Sequence, residues 1–117
     1  MPDYYSEQRP WGVFTVLYET PTLKVKKIRV KPGCRLSYQT HAKRSEHWVV
    51  VAGKARVILN DKEIILSVGE SIDVPVGAKH RFGATAEGEL VLIEVQRGEY
   101  LGEDDIVRLQ DDYHRAP

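Results

Sequence analysis

Residues 33–53, GCRLSYQTHAKRSEHWVVVAG, set Gln39, His41, Glu46 and His47 between two glycines. Each of the four carries a group that a divalent cation or a polarised substrate oxygen can use: an amide oxygen, an imidazole nitrogen or a carboxylate. Side chains alternate faces along a strand, so Gln39 and His41 point the same way with Cα atoms about 6.5–7 Å apart, a spacing that suits two ligands of one ion. If the next strand begins by residue 44, Arg44 and Glu46 share a face that Trp48 and Val50 continue. By the same parity His47 points to the opposite face, where it supports the site or the core and is not a ligand.

A second cluster lies downstream. Residues 69–80, GESIDVPVGAKH, form a turn-rich stretch with Gly69, Pro75 and Gly77 that ends in His80. His80 supplies a fourth group from a distant strand. Two imidazoles, one carboxylate and one amide oxygen suit zinc, with manganese, cobalt, nickel or iron as alternatives, and leave room for substrate or water. Taken singly, Gln39 also reads as an ordinary polar strand residue, and Lys43 with Arg44 as a solvated loop.

Working outward, 11–18 (WGVFTVLY) alternates as a strand closed by Pro21. In 23–30 (LKVKKIRV) the apolar residues are Leu23, Val25, Ile28 and Val30, and the doubled lysine at 26 and 27 shifts the phase as a bulge does. Further strands fall near 34–41, 46–52, 54–59, 62–67, 71–75, 79–83 and 89–96, separated by turn residues such as Asn60-Asp61 and Ala52-Gly53. Many short strands at this spacing predict an all-β, closed or sandwiched antiparallel sheet such as a jelly roll. Residues 1–10 lack periodicity and read as an N-terminal arm. In the tail, 99–117, Glu103, Asp104 and Asp105 precede Ile106, Val107 and Leu109 as in a short helix with acids in its first turn.

Length and composition bound the rest. At 117 residues the chain reads as one domain, 1–117, able to bury roughly two thirds of its unfolded surface. Lys plus Arg equal Asp plus Glu at 17 each, so no net field favours nucleic acid or an anionic membrane. The single cysteine, Cys34, makes no internal bridge and reads as a small apolar packer. With no signal-peptide pattern and no apolar run near the ~20 residues of a span, the expectation is a cytoplasmic protein. Trp11 and Trp48 read as core or subunit contacts, and His114 with the acidic tail as solvated surface. The largely apolar run from Leu90 to Val95 exceeds what one barrel face needs and predicts a homodimer.

The spacing Gly33, five residues, Gln39-x-His41, four residues, Glu46, six residues, Gly53 resembles the first cupin motif, with glutamine in place of its first histidine. Gly69, five residues, Pro75-x-Gly77, two residues, His80 resembles the second. RPWG at 9–12, VKPG at 30–33, the QxHxxRxEHWVVVxG run, PxGxxHR at 75–81 and IEVQRGEYLGEDDIVRLQDDY at 93–113 resemble something narrower. They match the C-terminal type II phosphomannose isomerase domain of bifunctional mannose-1-phosphate guanylyltransferases. The second cupin motif usually has asparagine four residues beyond its histidine, where this chain has Ala84. The family sets no residue type at the position of Arg97. Its nucleotidyltransferase domain is not among these residues, so sugar-nucleotide synthesis is not implied.

The resemblance implies a single cupin jelly-roll β-barrel, with the short C-terminal helix read above, that interconverts mannose 6-phosphate and fructose 6-phosphate. A metal, zinc first, on Gln39, His41, Glu46 and His80 would polarise the carbonyl, and Arg44 would stabilise the enediolate charge. Arg9, Lys79 and Arg81 are candidates for the phosphate by charge. The sequence names no base. The alternative is a non-catalytic cupin that binds a sugar phosphate or nucleotide sugar as a regulatory or scaffolding module. A dioxygenase on this fold is disfavoured, because such cupins present three histidines and a glutamate.

Overall fold

The structure is a computed structural model that describes residues 5–102 and 104–113. Its strands are β1 (Tyr5–Arg9), β2 (Gly12–Glu19), β3 (Leu23–Val30), β4 (Tyr38–Thr40), β5 (Arg44–Ala52), β6 (Ala55–Leu59), β7 (Lys62–Leu66), β8 (Ser71–Val74), β9 (His80–Ala84), β10 (Leu90–Gly98) and β11 (Val107–Gln110). They form a six-stranded sheet, β1-β2-β3-β10-β5-β8, and a five-stranded sheet, β11-β4-β9-β6-β7. Among the described residues no ladder joins the two sheets, so the expected closed barrel is corrected to a two-sheet jelly-roll sandwich that keeps its edges.

The turns work as the residue types suggest. Asn60 and Asp61 take φ of 48° and 70°, the left-handed pair that lets a two-residue hairpin match the twist of β6 and β7. Gly53, at φ 78°, leaves β5 where a Cβ would lie 2.2 Å from the Glu89 carbonyl oxygen, so only glycine fits.

Three neighbouring strands share one gradient. Facing the second sheet, β3 presents Val30, Ile28, Lys26 and Lys24; β10 presents Leu90, Leu92, Glu94 and Gln96; β5 presents Val50, Trp48, Glu46 and Arg44. The register sets Leu92 beside Ile28 and Val50, Glu94 beside Lys26 and Trp48, and Gln96 beside Lys24 and Glu46. The interior is therefore dry at one end and charged at the other. The dry end holds Trp48 against Phe82 with ring centroids 4.6 Å apart. Because strand side chains have period 2, this polar end is built by charged and amide residues at core-facing positions.

That gradient corrects the reading of β3. Its burial alternates without interruption from Leu23 to Val30, so Lys24 and Lys26 point inward and Leu23 and Val25 outward. The register shift lies instead in β2, between Val16 and Tyr18. Part of the expected N-terminal arm is also ordered as an edge strand: β1 pairs with β2, aided by Ser6 to Thr15 at 2.8 Å and Tyr5 to Glu19 at 2.8 Å. An edge strand exposed on both faces needs only main-chain pairing, which hydrophobic periodicity does not report.

The expected C-terminal helix is not formed. Val107–Gln110 is strand β11, paired with β4, and no helix occurs among the described residues. The acids at 104 and 105 do not begin a helix, because Asp105 gives its carboxylate to the amides of Ala42 and Lys43. Glu103 and residues 114–117, including His114, lie outside the described residues. Among the described residues no helix is long and apolar enough to cross a membrane.

Candidate metal centre

β4 and β5 are joined by the short turn 41–43, so the residues on either side converge on the charged end of the interior. His41 is 4 %, Glu46 5 % and His80 4 % exposed, and one ligand atom from each lies within 4.8 Å of the other two. His41 Nε2 is 3.4 Å from Glu46 Oε2, and His80 Nε2 is 3.9 Å from Glu46 Oε1. Donors held at about 2.0–2.2 Å around a tetrahedral zinc sit roughly 3.3–3.6 Å apart, so separations of up to 4.8 Å must close by an ångström or so around such an ion. Gln39 pairs in register with His80 and lines the same cavity. Its amide nitrogen donates to the Ser37 carbonyl at 3.3 Å, leaving the amide oxygen as the group to offer.

Hydrogen bonds settle the imidazole tautomers. His41 Nδ1 meets the Asp105 backbone carbonyl and His80 Nδ1 meets the Ala78 carbonyl at 3.0 Å. A carbonyl only accepts, so both rings are protonated at Nδ1 and present the Nε2 lone pair to the cavity. Burial, and next the Arg44 guanidinium, press His41 down to about 4; burial lowers His80 as well. Both rings are therefore neutral at pH 7, the form that binds metal.

Arg44 sits at the centre of this cluster. Its Nη2 is 2.9 Å from both His41 Nε2 and Glu46 Oε2, and its Nε donates to Glu46 at 2.9 Å. The donor set thus already holds a positive charge, for which the guanidinium stands in. Trp48 Nε1 fixes the other carboxylate oxygen of Glu46 at 2.9 Å. Next to it, Glu94 accepts from Gln96 Nε2 at 2.6 Å and is pushed up to about 7, by burial first and then by the charge of Glu46.

The cavity is about 70 Å³ and carries more cations than acids. Arg9, Lys26, Arg44, Arg81 and Arg108 line it, against Glu46 and Glu94. Among the described residues Ser37 Oγ, Arg81 Nη2, Gln96 Oε1 and Arg108 Nε are buried and find no hydrogen-bond partner, although Arg81 Nη2 lies 3.9 Å from Asp112, and all four residues line this one cavity. Buried polar atoms are rarely left so. A concentration of them in one place is the mark of a polar ligand's seat.

The site residues expected from the sequence divide cleanly. Gln39, His41, Glu46, His80, Arg44, Arg9 and Arg81 all line the cavity. Lys79 does not: its ammonium pairs with Asp61 at 2.6 Å, in a side chain 42 % exposed. His47 faces away, as parity requires, and bonds Asp73 at 2.5 Å. Lys26, Glu94, Gln96 and Arg108 were missed. For the first three, charged or amide residues at strict alternation with core aliphatics were the available signal.

A two-sheet β-sandwich with an interior histidine–glutamate centre is the arrangement of cupins. The fold superposes on the Cnp3 cupin domain of Schizosaccharomyces pombe with a TM-score of 0.70 at 14 % identity, covering 74 % of this chain and 64 % of that one. The chain belongs to the family described as mannose-6-phosphate isomerase C-terminal, whose model matches residues 3–111. Relatives include the mannose-1-phosphate guanylyltransferase ManC of Salmonella typhimurium, 49 % identical over 108 residues, and the alginate biosynthesis protein AlgA of Pseudomonas aeruginosa, 47 % identical over 108 residues. Each alignment covers 92 % of this chain and 22 % of the relative, so the chain spans under a quarter of their length.

Proposed function

We propose that this chain is a metal-dependent aldose–ketose isomerase that interconverts mannose 6-phosphate and fructose 6-phosphate. The observation that carries the reading is one cavity that joins a metal-type donor set to a surplus of cations and four orphaned polar atoms. A divalent ion held by Gln39, His41, Glu46 and His80 would polarise the substrate carbonyl. The chain's own residues do the rest. Arg9, Arg81, Arg108 and Lys26 supply charge and donors for a phosphate, and Arg44 faces the enediolate oxygens.

The base can be assigned by elimination. Among the described residues two carboxylates line the cavity, and of these Glu46 is held at both oxygens, by Arg44 and by Trp48. Glu94 faces the cavity from β10, and Gln96 orients it at one oxygen. Glu94 takes the carbon-bound proton from C2 of the aldose and returns it to C1, while a hydroxyl proton passes from O2 to O1, so nothing is gained or lost. A cavity of about 70 Å³ lies well below the roughly 300–1,000 Å³ of small-molecule pockets, so entry of a hexose phosphate displaces side chains, the long arginines first.

A coupled assay of the metal-loaded chain on a panel of aldose phosphates tests the reading; no turnover on mannose 6-phosphate would overturn it. The surplus of cations in the cavity also fits one other reading, a binding module for a sugar phosphate that serves a partner. Binding without turnover would select it. Elemental analysis checks the ligands: His41→Ala and His80→Ala are each expected to lose most bound metal, and unchanged stoichiometry in both would remove this centre.

We also infer a homodimer, through the outer face of the six-stranded sheet. β10 lies between β3 and β5 there, and Val91, Ile93 and Val95 lie half-buried on that face beside Val25 and Val49. Sedimentation at micromolar concentration is expected to give a dimer that Ile93→Lys dissociates. A wild-type monomer would refute it.

A further inference from the structure

The two candidate histidine ligands are held by different means. His80 bonds the carbonyl of Ala78, two residues away on its own approach to β9. The partner of His41 is the carbonyl of Asp105, 64 residues away. The same Asp105 accepts the backbone amides of Ala42 at 3.1 Å and Lys43 at 3.0 Å on its two carboxylate oxygens. One residue thus fixes both the His41 ring and the turn joining β4, with Gln39, to β5, with Arg44 and Glu46.

The segment carrying Asp105 is a strap along the site. Arg108 pairs in register with Gln39, Gln110 accepts from Arg81 at 3.2 Å, and Asp112 takes both nitrogens of an Arg35 fork at 2.7 and 3.0 Å. Ile106 and Arg108 line the cavity. The strap forms part of its wall, and its anchoring begins at Asp105.

We propose that Asp105 is the positioning residue of the metal centre: by pinning the 41–43 turn through its carboxylate, it keeps its own carbonyl on His41 Nδ1 and so aims the Nε2 lone pair into the cavity. The proposal rests on the metal reading above and adds to it that the affinity of the centre is set from the C-terminal strap. Groups behind a metal-bound imidazole fix its tautomer and orientation, and their loss typically weakens metal binding about 10–100-fold. Asp105 acts on the turn through two charge-assisted bonds to amides, which are stronger than neutral ones.

The test uses the full chain and two variants, with two readouts. In the metal-free protein, nitrogen-15 NMR of the imidazoles is expected to show Nδ1-protonated His41 and His80. Asp105→Ala should lose the hydrogen-bonded Nδ1 shift of His41 and keep that of His80, which serves as the internal control; Arg44, donating to His41 Nε2, holds the tautomer itself in both proteins. Asp105→Asn, which retains an acceptor oxygen, should keep most of it. Competition for zinc ion against a chromophoric chelator should then show affinity falling about 10–100-fold for Asp105→Ala and less for Asp105→Asn. Wild-type zinc affinity and an unchanged His41 pattern in Asp105→Ala would overturn the proposal. Should Asp105→Ala fail to fold, a wild-type affinity in Asp105→Asn supports the retained acceptor, and a loss as large as that of His41→Ala overturns it. A wild type that takes up no zinc would overturn the metal reading itself, and the NMR comparison would still decide whether Asp105 positions the ring.

Discussion

Arg44→Ala is expected to lower isomerase turnover about 100-fold to 1000-fold, the usual effect of deleting one preorganised donor to a developing oxyanion. In the metal-free chain the guanidinium is 6 % exposed and bonded to His41 and Glu46, so under the proposed function its charge acts beside the ion, screened from water. Truncating one member of a buried ion pair can also cost about 3–5 kcal/mol of stability, because the other charge is left uncompensated. A bound cation on Glu46 replaces the lost partner, so the metal-loaded variant is expected to stay folded and keep its metal. Circular dichroism and elemental analysis check that separately from the rate. Arg44→Lys should recover little, since an ammonium cannot reproduce the fork across two acceptors. A metal-loaded Arg44→Ala as active as the wild type would remove Arg44 from the chemistry.

Glu94→Gln is expected to lose about 100-fold to 10,000-fold in turnover with a nearly unchanged fold, since it removes the proton acceptor and keeps the shape. It also makes a pH prediction of definite sign. In the metal-free chain Glu94 is pushed up to about 7 from an ordinary carboxyl value of 4.5. A raised folded-state value means the folded protein holds the proton more tightly than the unfolded chain. The stabilising effect of that proton is complete below about 4.5 and is lost as pH rises through about 7. Glutamine never loses a proton. With chelator present, Glu94→Gln should therefore melt several degrees above the wild type at pH 8 and show a smaller difference at pH 5. His41 pulls the wild type the other way: its depressed value, about 4, gives stability that is present above 6.5 and lost as pH falls through about 4. Because both proteins carry His41, comparing them at each pH removes its direct contribution. An equal melting difference at pH 5 and pH 8 would contradict the assignment of a raised carboxyl to Glu94.

What the chain declared in its sequence was whatever local geometry decides. Alternation and turn residues are properties of a few consecutive positions, and so the all-β class, most strand positions and the hairpin at Asn60-Asp61 could be read directly. Parity along one strand likewise put Gln39 with His41, and Arg44 with Glu46, and turned His47 away. The cupin and isomerase-domain motifs, being spacings along the chain, led to His80 as well. What had no local signature was decided by strand pairing. Whether residues 106–110 coil or extend depended on a free edge of β4 and on Asp105 finding the amides of Ala42 and Lys43. Lys26 and Glu94 could be recognised as lining the cavity only once their register set them side by side at the height where the interior turns polar. Lys79 lies outside the cavity lining for the same reason: its charge is real, and the hairpin of β6 and β7 offers it Asp61. A residue's type and parity are carried by its own segment. Its partner is chosen by the free energy of the whole fold, which pairs buried charges and amides wherever distant strands bring them within reach.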